Sequence, residues 1–417
     1  MKKYLIIAGV LVAVIIIGAF VLPPFVGRLT HEGPPGSGQP QGGPEGCASM
    51  QAGEWMPERD ECPSQNAELS AKCDAFCVKH PDCCGDRTGG EQAFGGREKV
   101  LTLPSAWEIF KLKRNYPETI KALNEGPNIY SRQGASEIIG DEKLEAIKAV
   151  GFNAIQVLLI GKKDDNGKLV FNEVNNSVLL NDIVAIKKHG LAVWVALDIA
   201  GAPTNAGQNN LGKYADFKES FLAFTKESAE LMEKYKVEYF TANNEPDKLF
   251  KEQKQWSAAE INANLADFFP ATNAVAREKF KGKLINKITQ TQRHPDEVVA
   301  ASFKNVDIAG VDVGPSLDGR VGLAEYQKKF DEYQFYASLA QQAGVPWMNA
   351  EYWQGDFDLG YYDFAKQNEL KYAQVSFNAY LKAAPKGQGY VWNDWATFSL
   401  PQGEATREAL SDFFKKI

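Results

Sequence analysis

"FNAIQVLLI" (Phe152 to Ile160), "NSVLLNDIVAIKKHG" (Asn176 to Gly190) and "LAVWVALDIA" (Leu191 to Ala200) stand close together in the chain. The first and third are almost unbroken apolar runs, the pattern of parallel strands covered on both faces. The middle run has its apolar residues at helical spacing and a glycine stop at Gly190. The three read as strand, helix, strand. The same rhythm extends in both directions, with strands expected at Pro127 to Arg132 ("PNIYSR"), Val237 to Ala242, Lys283 to Thr289, "VDIAGVDV", "VPWMNAE" and "GYVWNDW". Helices are expected at Tyr214 to Tyr235, Ser257 to Phe280, Asp296 to Phe303, Glu325 to Ala343, Asp363 to Ala383 and Glu404 to Lys416. Eight strands, each followed by a helix, predict an α/β fold of the (β/α)8 TIM-barrel type over residues 101–417. A doubly wound open sheet is the competing arrangement, but no glycine-rich phosphate loop follows an early strand.

The 417-residue chain is not barrel-like upstream. Lys2 and Lys3 precede a stretch from Tyr4 to Gly27 with no Asp, Glu, Lys, Arg or His, and about 20 apolar residues suffice to cross a bilayer. Residues 1–27 are expected to form a single-pass membrane anchor. The alternative is a signal peptide, although no good small-residue cleavage pattern is present. The paired lysines predict that everything after Arg28 lies outside the cell, with a secreted protein as the alternative. Residues 28–46 are Gly/Pro-rich and read as a linker. Cys47, Cys62, Cys73, Cys77, Cys83 and Cys84 are the only cysteines. An even, clustered set outside a membrane implies a disulfide-stapled module over 47–84, its connectivity open among fifteen pairings. A metal site with His80 is the competing reading. Residues 85–100 read as a second linker.

Composition narrows the partners. A formal charge of −7 gives no general attraction to nucleic acid or anionic lipid. The informative polar residues lie where strands end, because barrel active sites are built at the C-terminal ends of the strands. "VEYFTANNEP" (Val237 to Pro246) turns polar at Asn243, Asn244 and Glu245, and "VPWMNAEYW" ends the seventh strand at Glu351 and Tyr352. Fourth and seventh strands face each other across a ring of eight. Two carboxyl groups across a cleft suit glycosidic bond cleavage, one giving a proton while the other attacks carbon or activates water.

With these residues in place, the chain from about Asn124 onward resembles the clan A glycoside hydrolases, retaining barrel enzymes with Asn-Glu-Pro on strand four and Glu on strand seven. "AVGFNAIQV", "KKHGLAVWVALD", "NVDIAGVDV" and "GYVWNDW" echo the family in order. The resemblance implies that Glu245 is the acid/base, Glu351 the nucleophile, Asn244 the holder of the sugar 2-hydroxyl and Trp392 a platform under the ring. No metal or organic cofactor is required. Departures are Gln156, where many members carry Arg, and "GVDVGPS", which lacks the aromatic hydroxyl often found near the nucleophile. Arg132, at the expected end of strand one, is the candidate for the missing positive charge. Strict alternation sends Asn244 and Glu245 to opposite faces, so a bulge is required if both serve the site.

Plainer readings stand beside these. Glu245 also suits the first turn of a helix, and Asp198 and Asp312 suit N-caps. Asp198 and Tyr352 complete the candidate binding set, but Tyr352, Trp353, Trp392 and Trp395 equally suit a core. His189 and His294 are not candidate catalysts. The expected function is a retaining glycoside hydrolase acting on β-linked oligo- or polysaccharide, and the alternative is a catalytically silent, glycan-binding barrel. Sugar, linkage and endo or exo action are set by loops, and nothing in the sequence fixes the oligomeric state.

Overall fold

Eight parallel strands close into a ring in the computed structural model, which describes residues 103–124, 139–163, 168–170, 173–199, 211–289, 294–315, 322–352, 369–383, 387–393 and 403–417. These residues all belong to the compact unit Glu98–Ile417. The expected anchor, linkers and cysteine module lie outside the described residues. Among the described residues, no helix is long and apolar enough to cross a membrane.

The strands are β1 (Ile120–Asn124), β2 (Ala154–Lys163), β3 (Ala192–Ile199), β4 (Tyr239–Thr241), β5 in two pieces (Lys283–Leu284 and Ile288–Thr289), β6 (Ala309–Asp312), β7 (Trp347–Tyr352) and β8 (Gly389–Asn393). β1 pairs with β8, and the two pieces of β5 join β4 to β6, so the (β/α)8 barrel closes. A short strand, Leu169–Val170, hangs antiparallel on β2. The helices are α1 (Ala106–Lys111), α2 (Asp141–Val150), α3 (Glu173–Lys188), α4 (Tyr214–Lys234), α5 (Pro246–Lys251), α6 (Ala258–Lys279), α7 (Asp296–Ser302), α8 (Leu323–Gln342), α9 (Glu369–Ala383) and α10 (Glu404–Phe414).

One expected strand is misplaced in the sequence reading. The first strand is "IKALN", upstream of Pro127 to Arg132, which lies outside the described residues. Lys121 disguises it, because a charge interrupts the apolar run; its ammonium caps the C-terminal end of α10 at the Phe414 carbonyl, where a cation suits the helix dipole.

Inside the barrel, small and large residues interlock. Ala122, Ala154 and Ala192 leave room for Trp194, Tyr239 and Met348, all fully buried. The Trp194 indole N–H donates to Thr241 Oγ1 at 2.8 Å, so its one polar atom is matched. Between the two pieces of β5, the Asn286 side chain stands in for ladder bonds: it accepts from Gly310 N at 3.0 Å and donates to Gly310 O at 3.2 Å. Gly310 is required there, since a Cβ would lie 2.2 Å from the Asn286 carbonyl oxygen. Outside the ring, Phe250 of α5 packs against Phe217, Phe268 and Trp256 with centroids 5.9, 5.1 and 5.2 Å away. Burying such a ring contributes about 1.5–3 kcal/mol and fixes the helix that follows Glu245.

Candidate active site

The chain leaving β4 does not continue as a regular strand. Ala242 joins the helix-side core and Asn243 donates to Thr272 Oγ1 of α6, so two consecutive residues turn outward. That irregularity meets the requirement for a bulge. Asn244 then rejoins the barrel through Leu197 O at 2.8 Å, and Glu245 N donates to Lys287 O at 3.2 Å. Glu245 takes φ 47°, ψ 47°, the left-handed region, and starts α5 without capping it by its side chain. Pro246 suits the first helical position because that N–H has no helical partner. Asp247 ties the turn to β5 by accepting from Thr289 N at 3.2 Å and His294 Nε2 at 3.2 Å.

A second irregularity brings in Glu351. Met348 and Ala350 face the barrel interior, so alternation alone would send Glu351 outward. The register of β7 shifts against both β6 and β8 at this point, and Glu351 turns inward. Its Oε1 accepts from Asn393 Nδ2 at 2.7 Å; its Oε2 accepts from Asn124 Nδ2 at 3.2 Å and from the Lys287 ammonium. The same ammonium lies 3.5 Å from Glu245 Oε1 and 3.6 Å from Asp312 Oδ2. Lys248 donates to Glu245 Oε2 at 2.7 Å. Each of Glu245, Asp312 and Glu351 brings an oxygen within 4.8 Å of the others. Three acids would suit a cation, and the Lys287 ammonium already lies among them.

Electrostatics separate the three. Burial would raise the Glu245 carboxyl, but Lys248 and Lys287 outweigh it and hold the group below the usual carboxylate range. Burial raises Asp312, and Glu245 and Glu351 prevail over the opposing Lys287, so it lies well above that range. Burial alone would lower Lys287; Asp312, Glu245 and Glu351 reverse this and hold it well above the usual lysine value.

Of the residues singled out by sequence, Glu245, Glu351, Asn244 and Asp198 meet at the mouth, Asn244 Nδ2 donating to Asp198 Oδ2 at 3.3 Å. Two others do not. Trp392 and Tyr352 are each 1% exposed and stack on each other, centroids 5.4 Å apart, in the layer between strands and helices. The β7 shift that turns Glu351 inward turns Tyr352 outward, and on β8 it is Asn393 rather than Trp392 that reaches the carboxylates. Arg132 lies outside the described residues, and the positive charge beside Glu351 is Lys287. Asn124, Lys248, Lys287 and Asn393 were not singled out. Lys287 had a signal, the one charge within the strand segment "LINKIT" (Leu284 to Thr289). Gln156, in the register of Asn124 and Trp194, is fully buried with both amide atoms unpartnered among the described residues.

No protein-family model and no curated protein sequence matches the chain. Its fold is similar to solved clan A glycoside hydrolases of families 5 and 113. A GH113 β-1,4-mannanase is 15% identical, with 72% of this chain and 100% of that one covered and a TM-score of 0.50. The exo-β-1,4-mannosidase Op5Man5 from Opitutaceae bacterium strain TAV5 is 14% identical over 75% of this chain and 62% of that one, TM-score 0.53. Thermotoga maritima Cel5A in complex with mannotriose is 14% identical over 70% and 97%, TM-score 0.53. At these identities the likeness is one of fold.

Proposed function

We propose that the chain is a retaining glycoside hydrolase of β-1,4-linked hexose oligo- or polysaccharides, with Glu351 as nucleophile and Glu245 as acid/base. The observation that carries this is the approach of the two carboxyl groups, oxygens within 4.8 Å, across the mouth from the ends of β4 and β7. Carboxyl groups about 5–5.5 Å apart leave no room for a water between carboxylate and sugar, whereas inverting pairs stand about 6.5–9.5 Å apart. In the first half, a Glu351 oxygen bonds to the anomeric carbon, the glycosidic bond breaks, and Glu245 protonates the departing oxygen. In the second half, Glu245 takes a proton from water, which displaces Glu351. The β-1,4 assignment draws on the mannanase and mannosidase of like fold. Asn244, braced by Asp198, is the residue proposed to hold the 2-hydroxyl. The amide of Gln156 and the side-chain oxygens of Asn244 and Asn393, without hydrogen-bond partners among the described residues, offer further contacts for hydroxyls. On the sequence of residues 1–27, the enzyme is membrane-anchored and faces outward.

One observation favours the silent, glycan-binding barrel instead: Lys287 lies between the two carboxyl groups, where the reacting carbon must approach. Turnover decides between them. Hydrolysis of β-1,4 mannan or glucan oligosaccharides with retained configuration is expected, and Glu351→Ala should reduce it by about 10⁴-fold or more. Binding without cleavage across such a panel would leave the silent barrel.

A further inference from the structure

Acids and bases at the mouth do not balance. Apart from Asp198, which accepts from Asn244, three carboxyl groups lie together beside two ammonium groups among the described residues, Lys287 and Lys248. Three donors meet Glu351 and Lys248 meets Glu245, yet neither oxygen of Asp312 receives a hydrogen bond from a described residue. Lys287 Nζ stops 3.6 Å short of it. A buried carboxylate without donors is costly, while the neutral acid is itself a donor, and the acceptor it faces is Glu245. Two carboxyl groups at close quarters share one proton for the same reason.

Resting on the retaining reading, we propose that Asp312 stores the proton that Glu245 delivers, and that Lys287 is the counter-ion that passes from Glu351 to Asp312 as Glu351 becomes an ester. In the free enzyme Asp312 is neutral, Glu245 and Glu351 are anions, and Lys248 and Lys287 are cations: the cluster has no net charge. During glycosylation the Asp312 proton moves to the Glu245 oxygen it faces and from there to the departing oxygen. Electrons of the glycosidic bond leave with that oxygen, and a Glu351 lone pair forms the new bond to carbon. Asp312 is left an anion as Glu351 loses its charge, so net charge is again zero. Lys287, already close to both, needs only to swing. Hydrolysis of the ester reverses each change: water gives its proton through Glu245 to Asp312, its oxygen bonds to carbon, and Glu351 leaves as the anion. Asp312 and Lys287 are thus positioning residues acting through the two glutamates. The charged groups facing Asp312 are Lys287 from β5, Glu245 and Lys248 from the β4–α5 segment, and Glu351 from β7.

The test compares Asp312→Asn with Glu245→Ala on two substrates, an oligosaccharide and an aryl glycoside whose leaving group needs no proton. Asp312→Asn should lose about 100-fold in kcat/KM on the oligosaccharide and keep most of its rate on the aryl glycoside. Its alkaline limb should move to lower pH by about one unit or more, and azide should not accelerate it, because Glu245 remains as base. Glu245→Ala on the aryl glycoside should be accelerated by azide. Equal losses on both substrates with an unmoved pH profile, while Glu245→Ala keeps its azide response, would overturn the proton store and leave the retaining reading intact. No azide response and no effect of Glu351→Ala would instead sink the retaining reading. If Asp312→Asn does not fold, infrared spectra of the wild-type protein carrying ¹³C-labelled aspartate decide. A protonated aspartic acid band at neutral pH should vanish when a 2-deoxy-2-fluoro glycoside traps Glu351, because the loss of the Glu351 charge makes Asp312 give up its proton, to the leaving group or, where that needs none, to solvent. Its absence from the free protein, or its persistence in the trapped one, refutes the proposal.

Discussion

Two lysines lie deep in this barrel at opposite ends, and their surroundings differ. Lys187, at the floor, pairs with one carboxylate, Glu238, and donates also to Lys236 O at 2.8 Å. Glu238 accepts in addition from Asn115 N and Val193 N, both at 2.8 Å, so both its oxygens are occupied. Lys287, at the mouth, is shared by three carboxyl groups, one of which has no hydrogen-bond donor among the described residues. Burial lowers Lys187 despite its partner, whereas at the mouth the carboxyl groups overcome burial and raise Lys287. A matched buried pair belongs to stability; an unmatched cluster survives only where the surrounding fold holds it for another purpose. This agrees with the usual division of such barrels into a structural floor and a functional mouth.

The largest effect should come from the mouth. Lys287→Met is expected to reduce turnover by about 10²–10³-fold, the scale of losing one preorganised charge. Its stability should depend on pH with a definite sign. With the cation gone, nothing opposes burial at Asp312 and its folded-state value rises further above the unfolded one, so the variant gains stability in acid relative to the wild type and loses it as pH rises through the folded value. Denaturant titrations at several pH values read this directly, and a pH-independent loss would overturn it.

At the floor, Lys187→Met should cost about 3–5 kcal/mol, because it strands a buried carboxylate. The folded fraction should keep its turnover. A loss of kcat larger than the loss of folded protein would give the floor a functional role.

A smaller effect concerns acid stability. Burial would raise the Glu233 carboxyl, but Arg114, Lys236 and the Lys281 N–H outweigh it and hold it at about 2. That lies below the unfolded value of about 4.3. Its contribution is therefore fully present above about 4.3 and is lost as pH falls toward about 2. Glu233→Gln should flatten the stability profile across this window by about one proton, with no change above it.

The smallest effect is expected at Trp392. A ring stacked under a sugar would contribute about 0.5–1.5 kcal/mol beyond its burial, but this one packs against Tyr352 and Phe377 on the helix side. Trp392→Phe should therefore leave KM within about twofold. A tenfold rise would return it to the site.

The sequence displays what depends on local pattern. Apolar runs and helical spacing carry the barrel, and "NNEP" and "MNAE" mark the ends of β4 and β7 because a polar turn after an apolar strand is visible in any single chain. What it hides depends on register. Glu351 and Tyr352 exchange faces through one shift in β7, and Trp392 and Asn393 are separated by one residue of alternation. Neither is fixed by residue type. Lys287 is hidden for another reason: its strand is interrupted by the Asn286 clasp, so its inward direction follows from a contact with β6 rather than from its neighbours.

The left-handed backbone at Glu245 carries a consequence for selection. Glycine or asparagine would occupy that conformation with less strain than glutamate, so substitutions that relax the turn are the same ones that remove the proposed acid/base. A population screened only for heat resistance or yield would drift toward inert molecules at this position. Retention of glutamate under such pressure would have to come from demand for activity, and a library sorted both ways would display the two demands pulling one codon in opposite directions.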